Sequence, residues 1–138
     1  MKKIKILTML TVLLISSLGL FSIEKADAAS SGWITQNGVN AQVSTNKNTY
    51  GNEKIVVTGE KTGSTKLYYI AEIMKLTVGS HSPWEKVGES QDGSFTSKTS
   101  ELKFNHAGKG TYRIQLRLFR DAATNEYLGV WTTNVTVE

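Results

Sequence analysis

Apolar and polar residues alternate through Gly110–Phe119, where Tyr112, Ile114, Leu116 and Leu118 are separated by Thr111, Arg113, Gln115 and Arg117. A period of two places the two sets on opposite faces of a strand, so the stretch predicts a β-strand with an apolar inner face and a polar outer one. The turn formers from Asn105 to Gly110 precede it and set where it begins. The same alternation predicts a first strand at Val39, Ala41 and Val43, and a second over Lys54–Glu60. A further strand is marked by Leu102 and Phe104. A last one runs over Tyr127–Val137, with Trp131, Val135 and Val137 on one face and Val130, Thr132, Asn134 and Thr136 on the other. Trp84–Val87 reads as a short edge strand and Phe95–Ser100 as a weak one. Thr45–Asn52, Gly79–Pro83 and Arg120–Asn125 read as loops, Gly88–Gly93 as a polar turn, and Lys61–Ser64 as a hairpin-type connection. Ala29–Asn37 reads as a frayed arm carrying Trp33.

Lys66–Val78 departs from the pattern. Leu67, Tyr69, Ala71 and Ile73 fall on one face, and Tyr68, Ile70, Met74 and Leu76 on the other, so both faces are apolar. Either a bulge switches the faces midway, or one end is covered by the arm or by a partner. A helix over Ile70–Leu76 is the rival reading, because Ala, Glu, Met, Lys and Leu are good helix formers. The aromatic and β-branched flanks, bounded by Gly63 and Gly79, favour a strand. About seven short strands with no firm helix predict an all-β sandwich of two packed sheets.

The N-terminus changes the domain count. Lys2, Lys3 and Lys5 precede an uncharged run from Ile6 to Ile23, and Ala26-Asp27-Ala28 follows. That is the layout of a secretory signal peptide, residues 1–28, cleaved before Ala29. The mature chain is then expected to be an arm, 29–37, and one domain, 38–138, secreted and either released or loosely retained at the cell wall, with no membrane contact after cleavage. Once Lys2, Lys3, Lys5, Lys25, Glu24 and Asp27 are removed with the leader, twelve basic and ten acidic residues remain. So slight an excess gives no reason to expect a nucleic-acid partner. The chain has no cysteine, so an exported domain of this kind rests on its apolar core alone.

Two stretches carry a resemblance. His106-Ala107-Gly108-Lys109-Gly110-Thr111-Tyr112-Arg113-Ile114 resembles the start of strand F in immunoglobulin-like domains. There a Gly-containing turn precedes a Tyr, and a core residue lies two positions later. The resemblance implies that Tyr112 forms a tyrosine corner, its hydroxyl bonded to backbone just upstream, and that Ile114 stands where antibody domains keep their second Cys. Val43-Ser44-Thr45-Asn46-Lys47-Asn48-Thr49-Tyr50, followed by Glu53-Lys54-Ile55-Val56-Val57-Thr58, resembles the pattern T-D-K-x-x-Y-x-x-G-E-x-V-x-V-T. That pattern occurs at the first strand pair of many exported bacterial immunoglobulin-like domains. Asn46 replaces its Asp, and Gly51 stands two positions before Glu53 rather than next to it. The whole is similar to small exported bacterial proteins of unknown function. The implied fold is a single immunoglobulin-like or fibronectin III-like β-sandwich of about seven strands.

Catalytic chemistry finds no footing in these residues. His81 and His106 are the available imidazoles; neither belongs to a nucleophile motif, and both read as exposed loop histidines. No metal-ligand spacing occurs, Asp92-Gly93 and Asp121 suit turns, and Glu72 with Glu85 makes no convincing carboxylate pair. No enzyme activity, cofactor or metal is expected. The aromatics are more informative: Trp131 and Tyr69 fit the core, whereas Trp33, Trp84 and Tyr127 are candidate surface anchors. Arg113 and Arg117 lie on the polar face of the Gly110–Phe119 strand, where Glu72 on a neighbour would complete a charge ladder. The sequence therefore points to a secreted, non-enzymatic binding module for an extracellular protein or glycan. The binding candidates are Trp33, Trp84, Tyr127, Arg113 and Arg117, and the structural residues are Tyr112, Ile114 and Trp131. A secreted protease inhibitor acting through Gly79–Pro83 or Asp121–Glu126 is the alternative, and a hydrolase a distant third.

Overall fold

Wherever side chains alternate in character, every second one leaves water. Ile55, Val57, Ile73, Ile114, Leu116, Leu118 and Trp131 are completely buried, and each comes from the apolar set of its stretch. The computed structural model describes residues 28–79 and 81–138; the expected signal peptide lies outside the described residues except for Ala28. Nine strands form: β1 (Ile34–Gln36), β2 (Val39–Thr45), β3 (Thr49–Tyr50), β4 (Ile55–Lys61), β5 (Leu67–Leu76), β6 (Trp84–Phe95), β7 (Leu102–Phe104), β8 (Gly110–Phe119) and β9 (Tyr127–Val137). A four-stranded sheet, β1-β2-β4-β7, faces a five-stranded sheet, β3-β9-β8-β5-β6. The inward side chains of both build one core, the arrangement of a β-sandwich. No helix occurs among the described residues, so Ile70–Leu76 is strand.

Three local expectations are corrected. Lys61–Ser64 is not a hairpin connection: β4 and β5 lie in different sheets, because their two apolar sets bury against each other rather than side by side. Gly88–Gly93 is not a turn but part of β6, which runs unbroken from Trp84 to Phe95. As a sheet edge, β6 needs only backbone pairing and can keep polar side chains in water. Phe95–Ser100 is mostly loop, bound to β4 through Lys61 N to Ser97 O and Thr99 N to Gly59 O, both 2.9 Å.

The doubly apolar stretch has a simple geometry. β5 pairs with β8 in unbroken register, from Tyr68↔Phe119 to Lys75↔Tyr112. The irregularity lies towards β6, where Ala71 faces Gln91 but Ile73 faces Val87. β5 advances two residues there while β6 advances four, so β6 carries the bulge, opposite Glu72. The faces of β5 therefore do not switch: Leu67, Tyr69, Ala71 and Ile73 join the core, and Tyr68, Ile70, Met74 and Leu76 point outward.

The arm is not frayed. Thr45 N donates to Ala29 O and Ser31 N to Val43 O, both 2.9 Å, and β1 pairs with β2 from Ile34↔Ala41 to Gln36↔Val39. The two-residue turn is Asn37-Gly38, with φ of 47° and 78°, the left-handed conformation that Asn and Gly adopt most readily and that tight hairpins require. The Gln36 amide then donates to Val130 O at 2.7 Å and accepts from Val130 N at 3.2 Å. It lies in space that a β-carbon on Gly129 would occupy. Trp131 Nε1 donates to Ile34 O at 2.8 Å. A three-residue strand thus bridges the two sheets.

Both resemblance stretches fold as locks. Tyr112 is fully buried; its hydroxyl donates to Gly108 O at 2.6 Å and accepts from Ala107 N at 2.9 Å, which is the tyrosine corner. Ile114 lies two positions on with no exposed surface. Tyr50, equally buried, donates its hydroxyl to Asn46 Oδ1 and accepts from Lys47 N at 3.3 Å and Val56 N at 3.4 Å. Asn46 supplies an acceptor, as an Asp would. Gly51 N and Lys47 Nζ both reach the Glu53 carboxylate at 3.1 Å, so the early glycine is held by the same acid.

Candidate binding surface

The outward set of β5 has no second sheet over it, and the residues in register with it on both sides complete a surface. Leu76 lies opposite Trp84, Met74 opposite Arg113, Ile70 opposite Arg117 and Tyr68 opposite Phe119. Phe119 lies in turn opposite Tyr127. Residues paired across a sheet share a face, so these side chains form one continuous outer face over β6, β5, β8 and β9.

At one end of this face the Arg113 guanidinium lies 4.1 Å from the centroid of the Trp84 ring. To get there from β8 the side chain spans β5, so its methylenes lie over the Met74–Leu76 end of that strand. A planar cation on an indole face gains cation–π attraction while its stem covers apolar surface. At the other end the Phe119 and Tyr127 rings pack at 5.7 Å between centroids, and Lys66 Nζ lies 5.7 Å from the Tyr68 ring. Phe119 is buried but stands apart from the sandwich core, whereas Tyr127 is 53% exposed. A hollow of about 230 Å³ is lined by Tyr68, Tyr69, Asp92, Ser94 and Thr124. Burial, reinforced by the Asp92 charge, pushes the Tyr69 phenol upward.

Between the two ends the surface is polar and paired. Arg117 lies 3.6 Å from Glu72 and 3.5 Å from Gln115 Oε1, and Ser90 Oγ donates to Glu72 at 3.2 Å. The bulge in β6 brings Ser90 to Glu72, so the irregular register provides a partner for a buried acid. The charge ladder forms in half: Arg117 pairs with Glu72, while Arg113 stacks on Trp84.

The structure therefore brings Trp84, Arg113, Arg117 and Tyr127 onto one face, and places Tyr112, Ile114 and Trp131 in the core. Trp33 is set apart: it is 49% exposed beside β1, the edge of the opposite sheet. Sequence reasoning missed Phe119 as a surface residue, although it is in phase with Arg113, Gln115 and Arg117. His81 is exposed as expected. His106 is not: its ring is half-buried, tilted against Tyr112 at 5.9 Å, and its Nε2 lies 2.8 Å from Gly51 O. Because Nδ1 accepts from Gly108 N at 3.3 Å, Nε2 carries the hydrogen, and the imidazole bonds the turn before β8 to the loop after β3. Among the described residues no cluster of His, Cys, Asp and Glu suited to a metal ion occurs.

Of the loops considered for protease inhibition, Asp121–Glu126 is folded on itself. The Asp121 carboxylate accepts from Asn125 N at 3.0 Å and Glu126 N at 2.9 Å. The turn between β5 and β6 exposes Val78 almost completely, at 94%.

Comparison with known proteins places this geometry. No curated protein matches the chain. Among solved structures, a family 76 glycoside hydrolase from a bovine Bacteroides thetaiotaomicron strain is similar over 63% of this chain, with 15% identity and a TM-score of 0.44. The chain spans 18% of that enzyme's length. The family model described as the YqgA MG2 macroglobulin domain matches residues 26–137. This immunoglobulin-like β-sandwich belongs to the YqgA MG2 macroglobulin domain family.

Proposed function

We propose that the protein is a secreted, non-enzymatic binding module that takes an extracellular protein or glycan on the outer face of its five-stranded sheet. The observation that carries this reading is the apolar outer face of β5. Tyr68, Ile70, Met74 and Leu76 stand on the solvent side of a sandwich whose core is already complete on the other side. A sheet face meant only for water would be polar there. Two apolar, aromatic ends separated by a charged centre have the make-up of a recognition patch, with Trp, Tyr and Arg its usual energetic centres. The paired Glu72–Arg117 centre supplies directional hydrogen bonds.

Capture of the purified domain on cell-wall and culture-supernatant fractions, run beside melting curves of the same variants, tests the reading. Trp84→Ala and Tyr127→Ala are expected to weaken capture at least tenfold, about 1.4 kcal/mol, with little change in melting midpoint. Trp33→Ala, off this face, is expected to leave capture unchanged. Loss of capture with Trp33→Ala alone would move the site to the β1 edge. The second reading, protease inhibition, draws on the exposed Val78 in the turn between β5 and β6. Val78→Asp abolishing inhibition of a secreted protease, with capture intact, would favour it.

A further inference from the structure

Lys61 closes the inward-facing set of β4, after Ile55, Val57 and Gly59, and is 5% exposed. It sits opposite Ala41, at the end of the sandwich where β4 leaves for the other sheet. Among the described residues its amine has no hydrogen-bond or ion-pair partner. The contact it does make is with the Phe95 ring, 5.9 Å from amine to centroid, at the outer limit of a useful cation–π interaction. Burial accordingly pushes its pKa down. Burying a cation without a counter-ion is costly, and such groups are ordinarily paired. Among the described residues no side-chain nitrogen is sealed from solvent without a partner, so the Lys61 stem is buried while its amine keeps a path to water.

Lys61 lines a pocket of about 310 Å³ together with Arg120, Asn37, Asn40, Thr62 and Thr65. No carboxylate lines it, while two cations do. Glu126 approaches Arg120 at 3.7 Å, both side chains being more than half exposed, so this ion pair is solvated and weak. The walls are backbone-braced: the Asn37 side chain donates to Leu128 O, and Thr62 N donates to Asn40 O at 3.0 Å. The volume is at the lower end for small-molecule sites, enough for an anionic group and part of the unit that bears it.

From these placements we infer that this pocket binds an oxyanion, the carboxylate or phosphate group of a small polar ligand, with Lys61 as its counter-charge and Arg120 at its mouth. An oxyanion supplies what the lysine lacks, a negative charge and strong acceptors, and it does so in a partly desolvated setting where the pairing gains strength. The guanidinium presents a planar fork suited to either group. The site shares no residue with the outer face of the five-stranded sheet, so the two proposals stand or fall separately.

Amide chemical shifts, followed while the intact domain is titrated with inorganic phosphate or with glucuronate, test the inference. Glucose and sodium chloride at matched ionic strength are the controls. The expected result is a saturable shift of the Gly38, Thr62 and Gly63 amides with an oxyanion and with neither control. A response to phosphate alone assigns the pocket to phosphate groups, and one to glucuronate alone assigns it to carboxylates. Lys61→Met is expected to weaken the response at least tenfold and to melt no lower than the parent, since Met keeps the buried stem and removes an unpaired, partly desolvated charge. Arg120→Gln, at an exposed position, is expected to weaken binding without affecting the fold and serves as the second variant should Lys61→Met fold poorly. Shifts reproduced by chloride, no saturable shift with either oxyanion, or full affinity retained by the folded variants would each overturn the proposal.

Discussion

On the inner side of β8, Tyr112, Ile114, Leu116 and Leu118 have no exposed surface at all. On the outer side of the same strand, Arg113, Gln115 and Arg117 are half-buried and Phe119 is buried. The two sides reach low exposure by different means. Inner side chains are covered by a second sheet, which cannot follow them if they shrink, so a truncation leaves a void. Outer side chains are covered by neighbours in their own sheet: Arg113 lies over Trp84 and Tyr127 over Phe119. Water can enter when one of those is removed. Inner burial is thus stability, and outer burial is a surface shaped by its own side chains.

The sharpest way to break the comparison is to truncate adjacent residues of opposite facing. Ile114→Ala is expected to cost about 2–5 kcal/mol, transfer plus cavity, whereas Arg113→Ala is expected to stay within about 0.5 kcal/mol. Urea melts of the two variants read the difference directly. Similar midpoints would mean that the outer face is packed like a core and is not open surface. A smaller loss is expected for Tyr112→Phe, about 1–3 kcal/mol, the usual net value of two hydrogen bonds. This variant keeps the ring in place and removes the bonds to Gly108 O and Ala107 N. An unchanged midpoint would reduce the tyrosine corner to a packing feature.

The inner side was legible in the sequence because a two-residue period reports directly which residues face an opposing layer. Tyr112, Ile114 and Trp131 could be placed in the core on that basis. The arm was misread because propensity over Ile34–Gln36 is weak, and its order comes from distant partners: Gln36 with Val130, and Trp131 with Ile34 O. Asn37-Gly38 was the local signal, a two-residue hairpin turn that implies a strand before it. Trp84–Val87 reads correctly as an edge strand, but its continuation through Gly88–Gly93 reads as a turn because an edge strand can be polar along its length. Of the outer face, Trp84, Arg113, Arg117 and Tyr127 could be named singly, but no periodicity says that Arg113 crosses a strand to reach Trp84. Nor does it say that Trp33 lies beside the edge of the other sheet. His106 reads as exposed from the sequence because its acceptor, Gly51 O, lies 55 residues away.

The smallest effect concerns the polar centre of the outer face, where the comparison is least obvious. Glu72 is the one outward residue of β5 that is nearly as buried as the core, at 9%, which suggests that removing its partner should be costly. Arg117, however, keeps 41% of its side chain exposed, and the pair is separated by 3.6 Å. Solvent therefore screens the interaction, and Ser90 still donates to the carboxylate when the arginine is gone. A double-mutant cycle of Arg117→Ala and Glu72→Gln is expected to give a coupling below about 1 kcal/mol, as exposed pairs do. It should also shrink as salt is raised through the range where the Debye length falls to a few ångströms. A coupling of about 3 kcal/mol or more, unmoved by salt, is what a desolvated pair would give. That result would place the centre of the outer face on the stability side of the comparison and leave only its two aromatic ends as open binding surface.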